Sequence, residues 1–381
     1  MRPRSFGRFQ LLERVAVGGM AEIFLAAERQ SYGGWRFVTI KRIRPDCNHP
    51  DYHDFFMTEA RVSLQCSHPN IPQVYEVGES EGQLYLAMEY IRGHTLLSFL
   101  QSINKDRQAT PVPVAVTIAF SVAAALEHVH ELRSPEGHTL EVIHRDVTPQ
   151  NVMVSAAGAV KLIDFGIVRS AIQIHETQAG VVKGKFGYMA PETIASPRDT
   201  DPRADLFALG VMMHEMLSGR PLFRGHNEAD TMERVRRLPI PDLTHLRADI
   251  PPEITAVVER LLARDPDHRY QSATHLLGAL EAATTLCHVP ITTVGLRDAF
   301  HAACGEPTQP VFDGTVYSTA SEARVRQRMA LGSDSDANAH PETVRARHAT
   351  RRPDTGDEEL SYFLSRAGLD ADEFPASETD S

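Results

Sequence analysis

The stretch VIHRDVTPQNVMV, residues 142–154, sets Asp146 and Asn151 five positions apart between apolar ends. A carboxylate and a carboxamide at that spacing can hold a nucleophile and a metal ion on one face of a loop. Asp164, in KLIDFGIVR, adds a second carboxylate downstream. Oxygen donors of these kinds suit Mg²⁺, which also takes water and phosphate oxygens. Upstream, Lys41 lies near the end of the run RFVTIKRI, and Glu59 lies in YHDFFMTEARVSLQC. Lysine is scarce: of the 39 basic residues five are Lys (Lys41, Lys105, Lys161, Lys183, Lys185) and the other 34 are Arg. Each ammonium therefore stands out against a surface otherwise filled with guanidinium groups. Read alone, Lys41 is a surface lysine on an edge strand, where Lys often guards unpaired backbone. Beside Glu59 and the downstream carboxylates that reading weakens.

The elements around these residues fall into two regions. FQLLERVAV, EIFLAAER and RFVTIKRI read as strands, with GGM and SYGGW as hairpin connections. Residues 52–66 carry helical periodicity, with Phe55, Phe56, Val62 and Leu64 as its apolar positions. IPQVYEVGE and QLYLAMEY return to strand. From about residue 95 the patterns are mainly helical, as in PVAVTIAFSVAAALEHVHEL, ADLFALGVMMHEMLSG, ITAVVERLLAR and SATHLLGALEAATTL. Strands first and helices afterwards predict an α+β architecture of two lobes. Beyond about residue 305 the chain is poor in aromatics and reads as disordered, with a short amphipathic helix marked by Leu360, Phe363 and Leu364.

Composition sets outer limits. The 381 residues are 42% hydrophobic and 23% charged, an ordinary globular profile. A net charge of -11 argues against general nucleic-acid binding, which needs a basic face. The four cysteines share no metal-like or disulfide-like spacing and read as reduced thiols. No apolar run reaches the roughly 20 residues that cross a bilayer, and MRPRSFGRFQLLERV lacks the apolar core of a signal peptide. The expectation is a cytoplasmic protein with no membrane insertion.

The chemistry-bearing motifs stand in one order: VAVGGMAEIF, Lys41, Glu59, HRDVTPQN, KLIDFGIVR and GKFGYMAPE. In that order they resemble the protein kinase family, of the bacterial eukaryotic-like Ser/Thr type. The resemblance spans residues 9 to about 284. It implies a bilobal kinase fold with an N-lobe over about 9–89 and a C-lobe over about 92–284. A further helix at 285–305 and a mostly disordered tail at 306–381, with its short helix at 357–370, complete the expected layout.

Several roles follow from the resemblance. Asp146 would accept the proton of a substrate hydroxyl, and Asn151 and Asp164 would hold Mg²⁺, with Mn²⁺ as a substitute. Lys41 would hold the ATP α- and β-phosphates, and Glu59 would hold Lys41. Ala16, Val17, Gly18, Gly19, Met20 and Ala21 would cover the phosphates. Ile23, Thr39, Met88, Met153 and the backbone of Glu89 and Ile91 would line the adenine slot. His144 and Phe165 would pack beneath the site, Asp205 would bond the catalytic loop, and Glu192 would pair with Arg269. The implied partners are protein substrates, with self-association a route to autophosphorylation in trans.

Two departures stand against the family pattern. The usual G-x-G-x-x-G would fall on Ala16, Gly18 and Ala21, so only its middle glycine remains. The other concerns Thr148, where Ser/Thr members carry a Lys that meets the γ-phosphate. Those members also carry a Thr where GKFGYMAPE has Lys185. The two residues look exchanged, and a flexible lysine at 185 could supply the ammonium that Thr148 does not.

Arg145, before Asp146, is the arrangement of members switched by activation-segment phosphorylation. Arg169 could join it in binding a phosphate, and Thr177 is the best acceptor in the segment. Thr148 also invites comparison with tyrosine kinases, although Pro149 and Gln150 keep the Ser/Thr pattern. Ala16, Ala21 and Thr148 support the alternative of a nucleotide-binding scaffold with weak or no phosphotransfer. A small-molecule phosphotransferase fits less well, because APE and Arg269 belong to a peptide platform.

Overall fold

The computed structural model describes residues 3–31, 33–47, 50–105, 109–134, 136–165 and 185–307. Six strands come first: β1 (Arg4–Phe6), β2 (Phe9–Val17), β3 (Ala21–Arg29), β4 (Trp35–Ile43), β5 (Val74–Ser80) and β6 (Gln83–Glu89). They form one antiparallel sheet in the order β1-β2-β3-β4-β6-β5. Alternation along the strands gives the sheet two different faces. Phe24, Ala26, Val38, Ile40, Tyr85 and Ala87 form an outer core with Phe6, Phe9 and Leu11. The other face carries Ile43 and Leu86, which pack with Val74 against Phe56 and Ala60 of α1 (Pro50–Gln65).

β1 had no counterpart in the sequence reading. Its three residues hold too little pattern to announce a strand, yet Phe6 caps the outer core. Arg42 lies over the rings of Phe6 and Phe24 and hydrogen-bonds Glu22 at 3.0 Å. Helix α1 also departs from expectation. Leu64 is 39% exposed, while Glu59 and Ser63 are buried beside Phe56 and Val62. Apolar periodicity cannot register a stripe that contains a buried carboxylate, and the pairing of Glu59 with Lys41 turns the helix this way.

After the linker, β7 (Gly93–Thr95), β8 (Val152–Ser155) and β9 (Val160–Leu162) make a small antiparallel sheet. A Cβ on Gly93 would sit 2.1 Å from the Val154 carbonyl oxygen, so the crossing of linker and β8 requires glycine. The helical lobe contains α2 (Leu96–Asn104), α3 (Val112–His130), α4 (Pro191–Ala195), α5 (Arg203–Ser218) and α6 (Glu228–Arg237). It continues with α7 (Leu243–Leu246), α8 (Pro252–Leu261), α9 (Ala273–Leu286) and α10 (Thr293–Cys304). Among the described residues, α3 alone is long and apolar enough to cross a bilayer. It is instead a core helix, packed against α5, α9 and α10.

Cys287 to Thr292 separate α9 from α10, so the residues expected as one helix at 285–305 contain a break. α10 returns to the linker. Phe300 stacks on His94 and Phe99, and Arg92 donates to the Pro307 carbonyl at 2.8 Å.

Among the described residues, Arg269 is the largest fully buried side chain. It donates to both oxygens of Glu192 (2.6 and 2.8 Å) and to the carbonyls of Ala263, Arg203 and Arg264. Removing the guanidinium takes this donor from Glu192 and from all three carbonyls at once. Arg269→Ala should lose about 3–5 kcal/mol of stability, measured by urea unfolding. A loss below about 1 kcal/mol would mean the network relaxes freely.

Candidate active site

Lys41 lies on β4, between β3 and β6, not on an edge. The lysine is buried, at 6% exposure, because three strands lie on one side of β4 and two on the other. A buried ammonium must be paired. Its Nζ donates to Glu59 Oε1 of α1 at 2.5 Å and to Asp164 Oδ1, past β9, at 2.9 Å. Burial works against the charged lysine, and the two carboxylates outweigh it, raising its pKa above the ordinary value. Desolvation likewise opposes the Asp164 carboxylate, and Lys41 outweighs it, so the group titrates below its usual range.

That contact identifies which sheet face looks toward the helical lobe. Register places Ile23 opposite Lys41, Ala16 opposite Ile23, and Thr39 opposite Met88. Ala16, Ile23, Thr39 and Met88 therefore share the face of Lys41. Met153 sits on β8 in the other lobe, paired with Thr95 and Lys161. The side chain of Glu89 is taken by Lys161 Nζ at 2.7 Å and by the Gln73 amide. What Glu89 and Ile91 can offer a ligand is backbone.

Val17 to Ala21 form a tight hairpin closed by Gly18 N–H to the Ala21 carbonyl at 2.7 Å. Gly19 and Met20 lie at its tip. Arg44 donates to the carbonyls of Gly18 and Gly19 (3.2 and 3.4 Å), and its amide bonds the Met20 carbonyl. Sequence reasoning missed this brace, since nothing separates Arg44 from the other arginines. It did single out Lys161 through the scarcity of lysine, without finding its partner Glu89.

The loop after α3 carries the polar groups of the helical lobe. Asp205 of α5 is 2% exposed and accepts from the His144 amide (Oδ2, 2.8 Å) and the Arg145 amide (Oδ1, 2.8 Å). His130 Nε2 lies 2.8 Å from the same carboxylate. These bonds hold Arg145 at φ 62°, a left-handed conformation unusual for a side-chain-bearing residue. The turn aims Asp146 inward, 7% exposed. His144 packs on Phe165 with ring centroids 5.3 Å apart.

Asn151 Nδ2 donates to the carbonyl of Asp146 (3.0 Å) and to its Oδ2 (2.5 Å). The amide is thereby fixed with its oxygen available elsewhere. Asp164, with its side chain 42% exposed and one oxygen on Lys41, keeps the other oxygen for a ligand. The donor set fits a hard divalent ion whose shell is completed by phosphate and water. Among the described residues no group of three or more His, Cys, Asp or Glu forms a self-sufficient metal site.

Lys185 opens the 3-10 turn Lys185–Tyr188, and its Nζ donates to both oxygens of Asp146 (Oδ2 2.8 Å, Oδ1 3.2 Å). Thr148 is 2% exposed, and its Oγ1 has no hydrogen-bond partner among the described residues. Arg145, Asp146, Thr148, Lys185, Tyr188 and Thr193 line one cavity. The structure thus brings Lys41, Glu59 and Asp164 together, and likewise Asp146, Asn151 and Lys185. Arg169 and Thr177 lie outside the described residues.

Comparison with known proteins gives one family model, the protein kinase domain, over residues 9–279. The chain is 38% identical over 279 residues to the tyrosine-protein kinase MasK of Myxococcus xanthus, a match covering 73% of this chain and 43% of that protein. It is 35% identical to the serine/threonine-protein kinase PknB of Mycolicibacterium smegmatis, over 71% of this chain and 42% of that one. The chain therefore spans less than half the length of either relative. The crystal structure of the Mycobacterium tuberculosis PknI kinase domain superposes with a TM-score of 0.52 at 25% identity, covering 73% of this chain and 97% of that domain.

Asp205→Ala would leave two buried amides unpaired and should cost about 2–4 kcal/mol. Burial opposes the Asp205 carboxylate, and His130 and His144 outweigh it, so it titrates below its ordinary value. Its contribution is then complete above about pH 4 and lost as pH falls through the lowered pKa. The unfolding free energies of parent and variant should differ at pH 7 and converge in strong acid. A gap that stays constant down to about pH 2 would contradict this.

Proposed function

Because the chain belongs to the protein kinase family, which uses ATP and a divalent metal, we propose that it transfers the γ-phosphoryl group of ATP to Ser and Thr hydroxyls of proteins. The observation that carries this is the assembled ion triad of Lys41, Glu59 and Asp164 beside an intact Asp146–Asn151 loop. Such transfer needs positioning and charge neutralisation more than covalent help.

In the step, the substrate hydroxyl oxygen forms a bond to the γ-phosphorus. The bond to the β,γ-bridging oxygen breaks, and ADP leaves with that electron pair. The hydroxyl proton passes to the Asp146 carboxylate. Lys41 holds the α- and β-phosphates, and its own pairing keeps it fixed and charged. Asn151 and Asp164 would hold Mg²⁺ or Mn²⁺, which would supply neutralisation of phosphate charge. The face bearing Ile23, Thr39 and Met88, with Met153 opposite, takes the adenine. Thr177 is the expected site of autophosphorylation between two copies of the chain. A cytoplasmic location suits such a domain.

Transfer to tyrosine is a second reading, favoured by the absence of a lysine at Thr148 and by the 38% identity to the tyrosine-protein kinase MasK. Purified protein incubated with ATP and Mg²⁺ should phosphorylate itself, with phosphoserine or phosphothreonine released on acid hydrolysis. Asp146→Asn should lower the rate by about 10²–10⁴-fold. Equal phosphorylation by parent and variant would overturn the assignment, phosphotyrosine alone would replace the Ser/Thr reading, and nucleotide binding without transfer would leave a scaffold.

A further inference from the structure

Among the described residues, the cations of the transfer centre are unevenly distributed. Lys41 is committed to Glu59 and Asp164, on the side where the α- and β-phosphates are held. On the side of the accepting hydroxyl, the catalytic loop itself presents Thr148, neutral and buried with an unused hydroxyl. The ammonium in contact with Asp146 comes from another segment, the 3-10 turn before α4, and bridges both carboxylate oxygens. Its side chain is 20% exposed, enough to meet a ligand entering the cavity that it lines with Asp146 and Thr148.

We propose that Lys185 is the catalytic cation of the transfer step: Asp146 holds its ammonium against the transferred phosphoryl group, a role that Thr148 leaves open in the catalytic loop. The proposal rests on the kinase reading above. Negative charge gathers on the equatorial oxygens of the moving phosphoryl group. A preorganised donor aimed there lowers the barrier, while one bound equally well before reaction does not. A lysine stem has the length and freedom to keep one N–H on Asp146 and turn another to phosphate.

The same geometry bears on control. Asp146 sits on a loop anchored to α5, whereas Lys185 sits at the end of the segment after Asp164. A loop-borne lysine would be in place whenever the loop is folded. Lys185 is in place only when the end of that segment is docked, as Arg269–Glu192 docks the adjoining α4. Completion of the cation set is therefore tied to the docking of the turn Lys185–Tyr188 that precedes α4.

The test uses the full chain, with Asp146→Asn as the inactive reference and a protein substrate that the parent phosphorylates. Lys185→Thr should fold, by thermal melting, and lose about 10²-fold in kcat, with the KM for ATP changed less than about threefold. Lys185→Arg should keep more activity than Lys185→Thr. Thr148→Lys combined with Lys185→Thr should recover at least about tenfold over Lys185→Thr, because the ammonium returns from the facing residue. Turnover of Lys185→Thr within about threefold of the parent would overturn the proposal. So would a loss that neither the arginine nor the exchanged pair relieves, since that marks a merely structural lysine. A parent no more active than Asp146→Asn would instead overturn the kinase reading on which the proposal stands.

Discussion

A buried ammonium on a central strand constrains much of this molecule. Lys41 cannot remain charged at that depth without carboxylates, and the two it finds lie on different elements. Glu59 requires α1 to turn a polar residue toward the sheet. Asp164 requires the end of β9 to reach up from the other lobe. The triad therefore ties helix orientation, lobe closure and the charge state of Lys41 into one condition. It need not add net stability, since desolvation of three charges offsets much of their attraction. Its effect is to make one arrangement much better than its neighbours.

The second anchor is Asp205. Helix α5 is buried along nearly its whole length, so a carboxylate near its start has few partners to choose from. Two successive amides of the catalytic loop supply them, and the bond to Arg145 supports a left-handed residue directly before Asp146. Arg269, fixed by Glu192 and three carbonyls, does the same for the far end of the site. Loop residues that must be placed within fractions of an ångström are thus held by groups buried in helices. α10 extends the pattern by packing Phe300 under the linker between the lobes.

Much of the candidate site was legible in the sequence, because carboxylates, a carboxamide and a scarce lysine leave a chemical signature at fixed spacing. Asp146, Asn151, Asp164, Lys41 and Glu59 were all named from residue type, order and resemblance. The long strands and helices were legible for a related reason: β3, β4, α3 and α5 repeat their pattern often enough to be read. Features resting on one side chain meeting a distant one were not. β1 is too short, Arg44 is one arginine among many, and Leu64 was assigned to a face that Glu59 in fact occupies.

By itself the sequence determined the identity and order of the reactive groups, and it marked Thr148 and Lys185 as an odd pair. Identity and order are local properties, carried by the residues themselves. Tertiary structure decided which of those groups touch. It put Lys41 in the middle of a sheet instead of at its edge, and it brought Lys185 from 39 positions away onto both oxygens of Asp146. The physical reason is that contact between distant segments depends on strand order and helix packing. Those are settled by the burial of the whole chain, and no short stretch contains them.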